Sequence, residues 1–313
     1  MSNRLTSVVI VTCGFGGYFP DCLNSLLAQE QANLEIAVID NSLDKYFSLN
    51  TARDFPQVKL YAQKERLSYC QSLNLGIRKT ESDFVLCLND DVRLGNDFIL
   101  RSLEGFSKSA DIGSVSGKIL RPDAKTIDSA GLYLSLFLSA KERGYAKKDT
   151  GQFETPGYIF AVNGAVAFYR RQMLEEIKIA DWYFDPEFGF FYEDLDLGWR
   201  AQKKGWKAYY IPKAIAYHAR GGSLRSPSGV GKRNARKYLS VELCAGLVIN
   251  RYLCMIRNAN PIDILLKFPA AVLYEFCVWS YMLIFRFKTL KIIFLKRRFL
   301  LSAISKRFRR IPQ

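Results

Sequence analysis

The sequence has no C-x-x-C pair and no N-terminal pattern typical of a signal peptide. The seven cysteines are an odd number and include no C-x-x-C pair. Buried free thiols in a reducing compartment, the cytosol, are therefore expected rather than a disulfide framework. No long apolar run follows a basic stretch at the N-terminus, so we expect no signal peptide. Histidine occurs once, as His218; a lone histidine is more often structural than a metal ligand, although a neutral imidazole can bind a metal.

A dinucleotide-binding fingerprint is also missing. Gly14, Gly16 and Gly17 follow an apolar run, but G-x-G-x-x-G would need glycine at position 19, which is Phe19. A Rossmann oxidoreductase is therefore not expected. Asp40 ends the second apolar run. Its carboxylate could accept a hydrogen bond from a nucleotide base or ribose, or simply cap a turn.

Acidic residues are scarce in the last quarter of the chain. Residues 1–231 hold 28 Lys and Arg against 27 Asp and Glu, whereas residues 232–313 hold 17 against 3. The net charge of +15 thus belongs almost wholly to the C-terminal quarter. A basic block of this kind favours a polyanionic partner, either nucleic acid or an anionic membrane surface. The apolar fraction of 49% argues against disorder.

Apolar and helix-like segments alternate along the first 230 residues. Apolar runs predict strands at 7–12, 34–40, 58–61, 84–88, 112–119, 158–169 and 208–211. Helical spacing predicts helices at 21–29, 68–79, 171–179 and 193–204. This order is typical of βαβ units, and it predicts an α/β fold with a mostly parallel sheet. Gly and Ser are frequent at 221–231, which predicts a mobile loop, and we place a boundary near residue 232.

Two adjacent carboxylates stand where the strand at 84–88 ends. Asn89, Asp90 and Asp91 follow that apolar run directly. Oxygen ligands at the carboxyl end of a strand suit Mg²⁺ or Mn²⁺ held against a substrate phosphate. A plain polar turn is the alternative, because Asn and Asp are common turn residues.

A second acidic group opens the helix at 193–204. Glu193, Asp194 and Asp196 fall within four positions and follow an aromatic cluster. Carboxylates in the first turn complement the helix dipole, and this could be their whole role. A carboxylate in a partly apolar pocket is also a suitable general base, and Asp196 is the member most consistent with a cap or a structural partner.

These segments together resemble family 2 glycosyltransferases with a GT-A fold, in the branch of bacterial rhamnosyltransferases of cell-surface polysaccharides. Val38–Ser42 resembles the "VDNxS" strand end, and Leu88–Val92 occupies the place of the "LNPD" form of the D-x-D motif. Residues 184–200 resemble "FDExFFxYxEDxDLxxR", and Gly205, Pro212, His218, Gly222 and Ser223 follow in the expected order. The resemblance spans about residues 5–225.

The resemblance implies a role for each matching residue. Asp194 would be the catalytic base, and Asp91 and His218 would bind the divalent cation, Mg²⁺ or Mn²⁺. The substrate would be contacted by Thr12, Asp40, Asn41, Asn74, Asn89, Asp90, Gly164, Ala165 and Glu193. The implied donor is a nucleoside-diphosphate sugar, dTDP- or UDP-linked, and the implied acceptor is a lipid-linked or nascent surface glycan. The implied domains are a GT-A catalytic domain at 1–231 and a helical extension at 232–313.

The C-terminal quarter combines apolar and basic segments. Residues 268–285 form an 18-residue apolar stretch, broken by Pro269 and Glu275 and flanked by basic residues on both sides. A single membrane crossing would place one basic flank outside, against the positive-inside tendency. We therefore favour helices lying on the anionic inner face of the cell membrane over a true span, an ordinary helical subdomain or a homodimer interface. Nucleic-acid binding is not expected, because the sequence has no recognised binding motif.

Two other functions share some of these features. A nucleotidyltransferase that makes nucleotide sugars also uses a nucleotide-binding sheet with metal-binding aspartates, but it needs a Gly-rich signature loop with a basic residue, which is absent. A membrane-docked binding protein without activity would not need Asp91, Asp194 and His218 together. Together with the resemblance, which implies an inverting reaction, this favours a metal-dependent hexosyltransferase.

Overall fold

A computed structural model describes residues 5–14, 17–30, 33–220 and 239–309 of the chain. The loop predicted at 221–231 and the boundary predicted at residue 232 lie outside these ranges, as do Gly16, Gly222 and Ser223. Of the seven cysteines, all free thiols, five are buried, while Cys13 is partly exposed and Cys277 is exposed.

The first ninety residues form alternating strands and helices. The elements are β1 (Leu5–Thr12), α1 (Phe19–Leu27), β2 (Asn33–Asp40), α2 (Lys45–Asp54), β3 (Lys59–Ala62), α3 (Tyr69–Arg78) and β4 (Phe84–Asn89). The polar helix α2 was not predicted; it begins because the Asp44 side chain accepts hydrogen bonds from the first-turn amides. Ser68 and Gln71 form a capping box that begins α3, which makes Tyr69 its first residue.

The next part of the chain adds eight strands and three helices. These elements are β5 (Val92–Leu94), α4 (Phe98–Phe106), β6 (Ile112–Leu120), β7 (Ile127–Ser129), β8 (Leu132–Leu134), β9 (Ala140–Glu142), β10 (Gly157–Ile159), β11 (Val166–Arg170), α5 (Arg171–Glu176), α6 (Glu193–Lys203) and β12 (Lys207–His218). The strand predicted at 208–211 thus continues to His218, which brings that residue to a strand end.

The central sheet is mostly parallel, as predicted. Its main path runs β10-β12-β6-β11-β4-β1-β2-β3, with β5 and β7 pairing beside it. Strands β1 to β4 are mutually parallel, β11 runs antiparallel between β4 and β6, and β12 is again parallel to β6. Six of the eight strands on the path therefore share one direction, and their carboxyl ends form one edge.

Helices cover both faces of this sheet. Val8 and Ile10 of β1 pack into one core cluster, and Val9 and Val11 pack into the other. This alternation explains why β1 reads as a continuous apolar run: both of its faces are buried. Helix α3 approaches β1 closely because residue 76 is glycine, whose hypothetical Cβ would lie 2.2 Å from a Val9 methyl carbon.

The strand-like stretch predicted at 158–169 is two strands separated by a turn. β10 and β11 pair with different neighbours, and residues 160–165 leave the ladder between them. The side chain of Asn163 accepts a hydrogen bond from the Ala165 amide at 2.8 Å, and its carbonyl accepts one from Val166 at 3.2 Å. This Asx turn breaks the strand at Gly164, where the site described below is built.

Four helices follow the sheet: α7 (Val241–Asn258), α8 (Pro261–Phe285), α9 (Phe287–Leu295) and α10 (Arg297–Arg309). Helix α7 packs against α6, α9 and α10. In the described part of the chain no helix by itself has the length and apolarity needed to cross a membrane; the pair Pro269–Phe285 and Phe287–Leu295 meets the test together, with a bend of 114°.

Candidate active site

Asn89, Asp90 and Asp91 lie at the carboxyl end of β4, where each side chain has a different partner. Asn89 accepts a hydrogen bond from the Tyr69 hydroxyl at 2.7 Å, and Asp90 accepts one from the Thr12 hydroxyl at 2.7 Å. Burial raises the pKa of Asp90 to about 6, opposed by the Thr12 hydrogen bond and reinforced by the charge of Asp91. The two adjacent carboxylates are therefore not equivalent.

His218 is brought to Asp91 by strand pairing. β12 runs antiparallel to β5, and its last residue, His218, pairs with Val92. His218 Nε2 lies 3.2 Å from Asp91 Oδ1, and Nδ1 lies 2.8 Å from Asp128 Oδ2. Burial lowers the pKa of His218, but Asp91 and Asp128 outweigh it and raise that pKa to about 9.

Asp128 on β7 is a fully buried carboxylate with three basic partners. Its Oδ1 lies 2.7 Å from Arg121 Nε and 2.6 Å from Arg220 Nε, while Oδ2 faces His218. Burial alone would raise the pKa of Asp128, but Arg220, His218 and Arg121 hold it well below its usual range. Asp128 therefore fixes the imidazole ring of His218 from the side opposite Asp91.

The pair of Asp91 and His218 fits a divalent cation. Two ligands about 2.1 Å from an octahedral Mg²⁺ lie about 3.0 Å apart when adjacent, and the two facing atoms here are 3.2 Å apart. A carboxylate behind the second nitrogen of a metal-binding histidine is the usual arrangement, and Asp128 supplies it. Among the described residues no group of three His, Cys, Asp or Glu side chains is placed to bind a metal, so the protein offers this pair.

Glu193 and Asp194 begin α6 after a strained backbone. Phe191 and Tyr192 have φ of 73° and 70°, in the left-handed region that non-glycine residues seldom adopt. Asp194 accepts hydrogen bonds from the amides of Gly164 at 2.9 Å and Leu195 at 2.7 Å. A Cβ at position 164 would lie 3.2 Å from Asp194 Oδ2, so glycine allows the two segments to meet.

Both carboxyls have raised proton affinity. Burial raises the pKa of Asp194, although the Gly164 and Leu195 amides oppose this. Burial and the neighbouring Asp194 raise the pKa of Glu193. Glu193 is 7% exposed, and among the residues that the structure describes its Oε2 has no hydrogen-bond partner. Asp196 instead pairs with Arg200 at 2.8 Å and accepts a hydrogen bond from Asn258, consistent with the structural role expected for it.

Tyr69 joins the two acidic groups. Its hydroxyl lies 2.7 Å from Asn89 Oδ1 and 3.3 Å from the carbonyl oxygen of Gly164, whose amide in turn binds Asp194. Asn89 and Ala165 are also linked directly, because the Asn89 amide donates to the Ala165 carbonyl at 2.9 Å. Two segments about a hundred residues apart in sequence thus meet in one place.

Three residues that were predicted to contact the substrate form hydrogen bonds within the protein. Asp40 accepts hydrogen bonds from the Ser42 amide and the Ser48 hydroxyl. Asn41 holds the loop at Leu67, and Asn74 accepts from the amides of Tyr183 and Phe184 while donating to the Phe184 carbonyl. All three side chains are at least 98% buried. They hold neighbouring loops in place, and their contact with a nucleotide stays a prediction.

Four residues at the site were not predicted: Tyr69, Asp128, Glu142 and Arg220. Glu142, on β9, accepts from Asn163 at 2.6 Å and from Arg220 at 3.4 Å, and burial raises its pKa to about 7. Asp128 and Glu142 belong to three-residue strands, which are too short to show a periodicity, and both contact residues more than seventy positions away in sequence. Tyr69 could have been found, because the capping box of Ser68 and Gln71 fixes it at the start of α3.

Curated relatives of the chain are polysaccharide synthases. The poly-beta-1,6-N-acetyl-D-glucosamine synthase of Staphylococcus epidermidis is 23% identical over 202 residues, which are 63% of this chain and 45% of that protein. The enzyme of the same name from Staphylococcus aureus (strain COL) is 22% identical over the same length. The chain therefore matches less than half the length of these relatives.

A solved structure covers nearly the whole chain. The mannosyltransferase PcManGT from Pyrobaculum calidifontis, in complex with GDP-Man and Mn²⁺, matches with a TM-score of 0.55 and 14% identity over 97% of this chain and 86% of that one. At this identity the likeness shows the fold alone, which is the GT-A fold. The profile of the family described as "Glycosyltransferase like family 2" matches residues 3–240, about three quarters of the chain. The protein therefore belongs to glycosyltransferase family 2.

Proposed function

We propose that the protein is an inverting, metal-dependent glycosyltransferase that transfers a hexose to a lipid-linked or nascent surface polysaccharide. The donor would be a dTDP- or UDP-linked sugar, with rhamnose as the candidate suggested by the sequence resemblance. The observation that carries this proposal is the junction at Tyr69 and Gly164, through which the end of β4 at Asn89 is hydrogen-bonded to the segment that contacts Asp194.

In this proposal the donor lies at the carboxyl end of β4. Asp91 and His218 would hold Mg²⁺ or Mn²⁺, which when bound offsets the charge that develops on the leaving nucleoside diphosphate. Asp90 and Asn89 would face the ribose or sugar. Thr12 orients Asp90 through its hydroxyl, and Asp128 keeps His218 turned toward Asp91.

Asp194 would act as the general base. Its carboxylate takes the proton from the acceptor hydroxyl while that oxygen attacks the anomeric carbon of the donor. The bond from the anomeric carbon to the diphosphate oxygen breaks on the opposite face, and the bonding electrons leave with the diphosphate. One displacement of this kind inverts the anomeric configuration. The raised pKa of Asp194 favours proton uptake, and Glu193, Gly164 and Ala165 would line the acceptor side.

The C-terminal helices would dock on an anionic membrane surface. Ile262, Leu265, Phe276, Ile284 and Phe287 are between 69% and 73% exposed, a large apolar area for a surface helix pair. The exposed basic residues beside it on α9 and α10 are Lys288, Lys291, Lys296, Arg297 and Arg298. Apolar side chains with flanking cations suit a lipid interface with acidic headgroups. The division into a catalytic part at 1–231 and a docking part at 232–313 belongs to this proposal, as does the cytoplasmic face of the membrane.

Incubation with a panel of UDP- and dTDP-sugars tests the activity. The purified chain is mixed with each donor, Mn²⁺ and membrane lipid extract as the acceptor source, and the nucleoside diphosphate released and the labelled lipid formed are measured. Release that depends on both the donor and the extract supports the proposal. Pyrophosphate release from a sugar phosphate and a nucleoside triphosphate would indicate a nucleotidyltransferase. Tight donor binding with no release under any condition would indicate a binding protein.

A further inference from the structure

The backbone before Asp194 is held by one side chain of α7. The amide nitrogen Nδ2 of Asn250 lies 2.6 Å from the carbonyl oxygen of Phe188, 2.8 Å from that of Phe190 and 2.9 Å from that of Phe191. Asn250 is 4% exposed, so little water can reach these carbonyl oxygens to form hydrogen bonds if the amide is removed. Three carbonyl oxygens around one atom require a donor there, which identifies that atom as the amide nitrogen.

The segment that Asn250 holds is in a sparsely populated conformation. Gly189, Phe191 and Tyr192 all have positive φ. Non-glycine residues persist in this region only when the surrounding structure fixes them. The strained turn ends at Glu193, the first residue of α6. It therefore determines the position from which the Asp194 carboxylate accepts the hydrogen bond of the Gly164 amide.

Helix α7 also binds the chain on both sides of the Glu193–Asp194 pair. Arg257 pairs with Asp185 and, at 2.5 Å, with Glu187, both of which precede the pair. Asn258 donates to Asp196 Oδ1 at 2.6 Å, two residues after Asp194. The candidate base therefore lies between attachment points that all belong to one helix of the C-terminal region.

The same helix is bonded to the apolar helix α8. Arg251 and the Tyr252 hydroxyl both bind Glu275 on α8, and Arg251 also donates to the Phe137 carbonyl. Arg251 directly follows Asn250 in the sequence. Polar contacts thus connect the C-terminal region to the acidic start of α6. This connection is separate from the apolar surface proposed to contact lipid.

We propose that Asn250 is a positioning residue for the transfer reaction, which holds residues 188–191 so that Asp194 reaches both the Gly164 amide and the acceptor hydroxyl. This rests on the proposed function in one respect only, that Asp194 is the base. The C-terminal region then serves the chemistry directly through α7, in addition to docking.

The test compares Asn250→Ala with Ile249→Ala in the full chain. Ile249 is the preceding residue, is buried to a similar degree, and packs with Ala245 and Ile293 away from the 188–191 segment. Both variants lose a buried contact of α7, so a general loss of stability should affect them alike. Asn250→Gln keeps the amide donor at a different reach and should give an intermediate result; it also serves if the alanine variant does not fold.

Two readouts separate positioning from simple stability. Amide hydrogen exchange over residues 185–195 should be at least tenfold faster in Asn250→Ala than in wild type, and unchanged in Ile249→Ala. The kcat for transfer should fall about 10- to 100-fold in Asn250→Ala, while binding of nucleoside diphosphate with Mn²⁺ changes less than twofold.

The acid limb of the pH profile gives a third readout. The Gly164 amide lowers the pKa of Asp194, so loss of that hydrogen bond should move the acid limb of kcat to higher pH. Glu193, Arg220 and Glu142 are charged groups that interact electrostatically with Asp194, and the hydrogen bonds of the Asn250 amide go to the backbone of residues 188–191 instead.

Each outcome decides the proposal. If amide exchange in Asn250→Ala is as slow as in wild type, Asn250 does not hold residues 188–191. If exchange is faster but kcat and the acid limb of the pH profile are unchanged, Asn250 has no positioning role in the reaction. Faster exchange together with a lower kcat and a shifted acid limb supports it. If wild type transfers no sugar to any acceptor, the proposed function fails, while the exchange measurement still reports on Asn250 independently.

Discussion

The molecule contains two pairs of adjacent carboxyls, each at least half-buried, in different settings. Asp90 and Asp91 follow a strand, and their partners are a hydroxyl on Thr12 and an imidazole on His218. Glu193 and Asp194 begin a helix. Backbone amides donate hydrogen bonds to Asp194, whereas one oxygen of Glu193 has no partner within the described part of the chain.

In the proposed function, this difference distinguishes the residues that would bind a cation from those that would accept a proton. The first pair borders His218, whose ring is fixed by a second carboxylate, Asp128, and can offer a nitrogen to a metal. The second pair is desolvated, so both its carboxyls have raised pKa values and take up protons readily. Similar residue types thus acquire different chemistry because of what surrounds them, and four substitutions test this comparison.

The largest effect is expected for Asp194→Asn. The amide cannot accept the acceptor proton, so kcat should fall about 10²- to 10⁴-fold, the range for loss of a general base. Binding of the donor with Mn²⁺, measured by calorimetry, should stay within about threefold of wild type. The isosteric change at the neighbouring residue, Glu193→Gln, should cost less than tenfold in kcat. Near-normal turnover by Asp194→Asn would show that another group takes the proton.

His218→Ala should affect the first pair, Asp90 and Asp91, by weakening the binding of the cation. It removes one of two candidate ligands and leaves Asp128 facing a cavity, so the Mn²⁺ concentration for half-maximal activity should rise about 10- to 100-fold. Tyr217→Leu is a matched control, since it removes the stacking of Tyr217 with Arg93 and leaves the imidazole in place. A metal titration identical to that of wild type would remove His218 from the cation site.

A smaller effect on the same side is expected for Asp128→Asn. The new amide would donate to His218 Nδ1, which moves the ring proton to Nε2, the nitrogen that faces Asp91. Mn²⁺ affinity should therefore fall, by up to about tenfold, and thermal stability should also fall because Arg121 and Arg220 lose a buried charge. Asp123→Asn, in an exposed turn of the same segment, should change neither quantity. Unchanged Mn²⁺ binding in Asp128→Asn would mean that Asp128 serves the arginines alone.

Much of the fold follows from the sequence because its strongest signals are local. The strands at β1, β2 and β4 were predicted within two residues, since strands buried on both faces read as continuous apolar runs. Helix α2 was missed because its residues are mostly polar and exposed and a single cap, Asp44, begins it. The stretch 158–169 was predicted as one strand-like piece because the Asx turn at Asn163 depends on hydrogen bonds that periodicity does not reveal.

The site was predictable only where a motif is contiguous. Asp91 and Asp194 stand in recognisable stretches, and the structure brings their segments together through Tyr69 and Gly164. Asp128 and Asn250 belong to no recognisable motif. Asp128 hydrogen-bonds to His218 and Asn250 to Phe188, and in each case the partner is more than fifty residues away in sequence. Such contacts depend on the register of nonlocal strands and on helix packing, which a single sequence does not contain.

The smallest effect expected is a pH-dependent change in stability for Glu193→Gln. Burial and Asp194 raise the folded-state pKa of Glu193 above its unfolded value, so the folded state binds the proton more tightly. The resulting stability is present at low pH and is lost as pH rises through the raised pKa. Glutamine stays neutral at every pH, so the variant does not lose this stability as pH rises.

The melting temperature of Glu193→Gln should therefore be close to that of wild type near pH 4, below the unfolded pKa, and should exceed it by a growing margin as pH rises to 9, since each pKa unit corresponds to about 1.4 kcal/mol. An advantage that does not grow with pH, or that reverses, would mean that Glu193 is ionised against a partner. The two acidic pairs would then differ less than their surroundings indicate. A growing advantage would show that the protein gives up stability at the start of α6 to keep a desolvated carboxyl beside its candidate base.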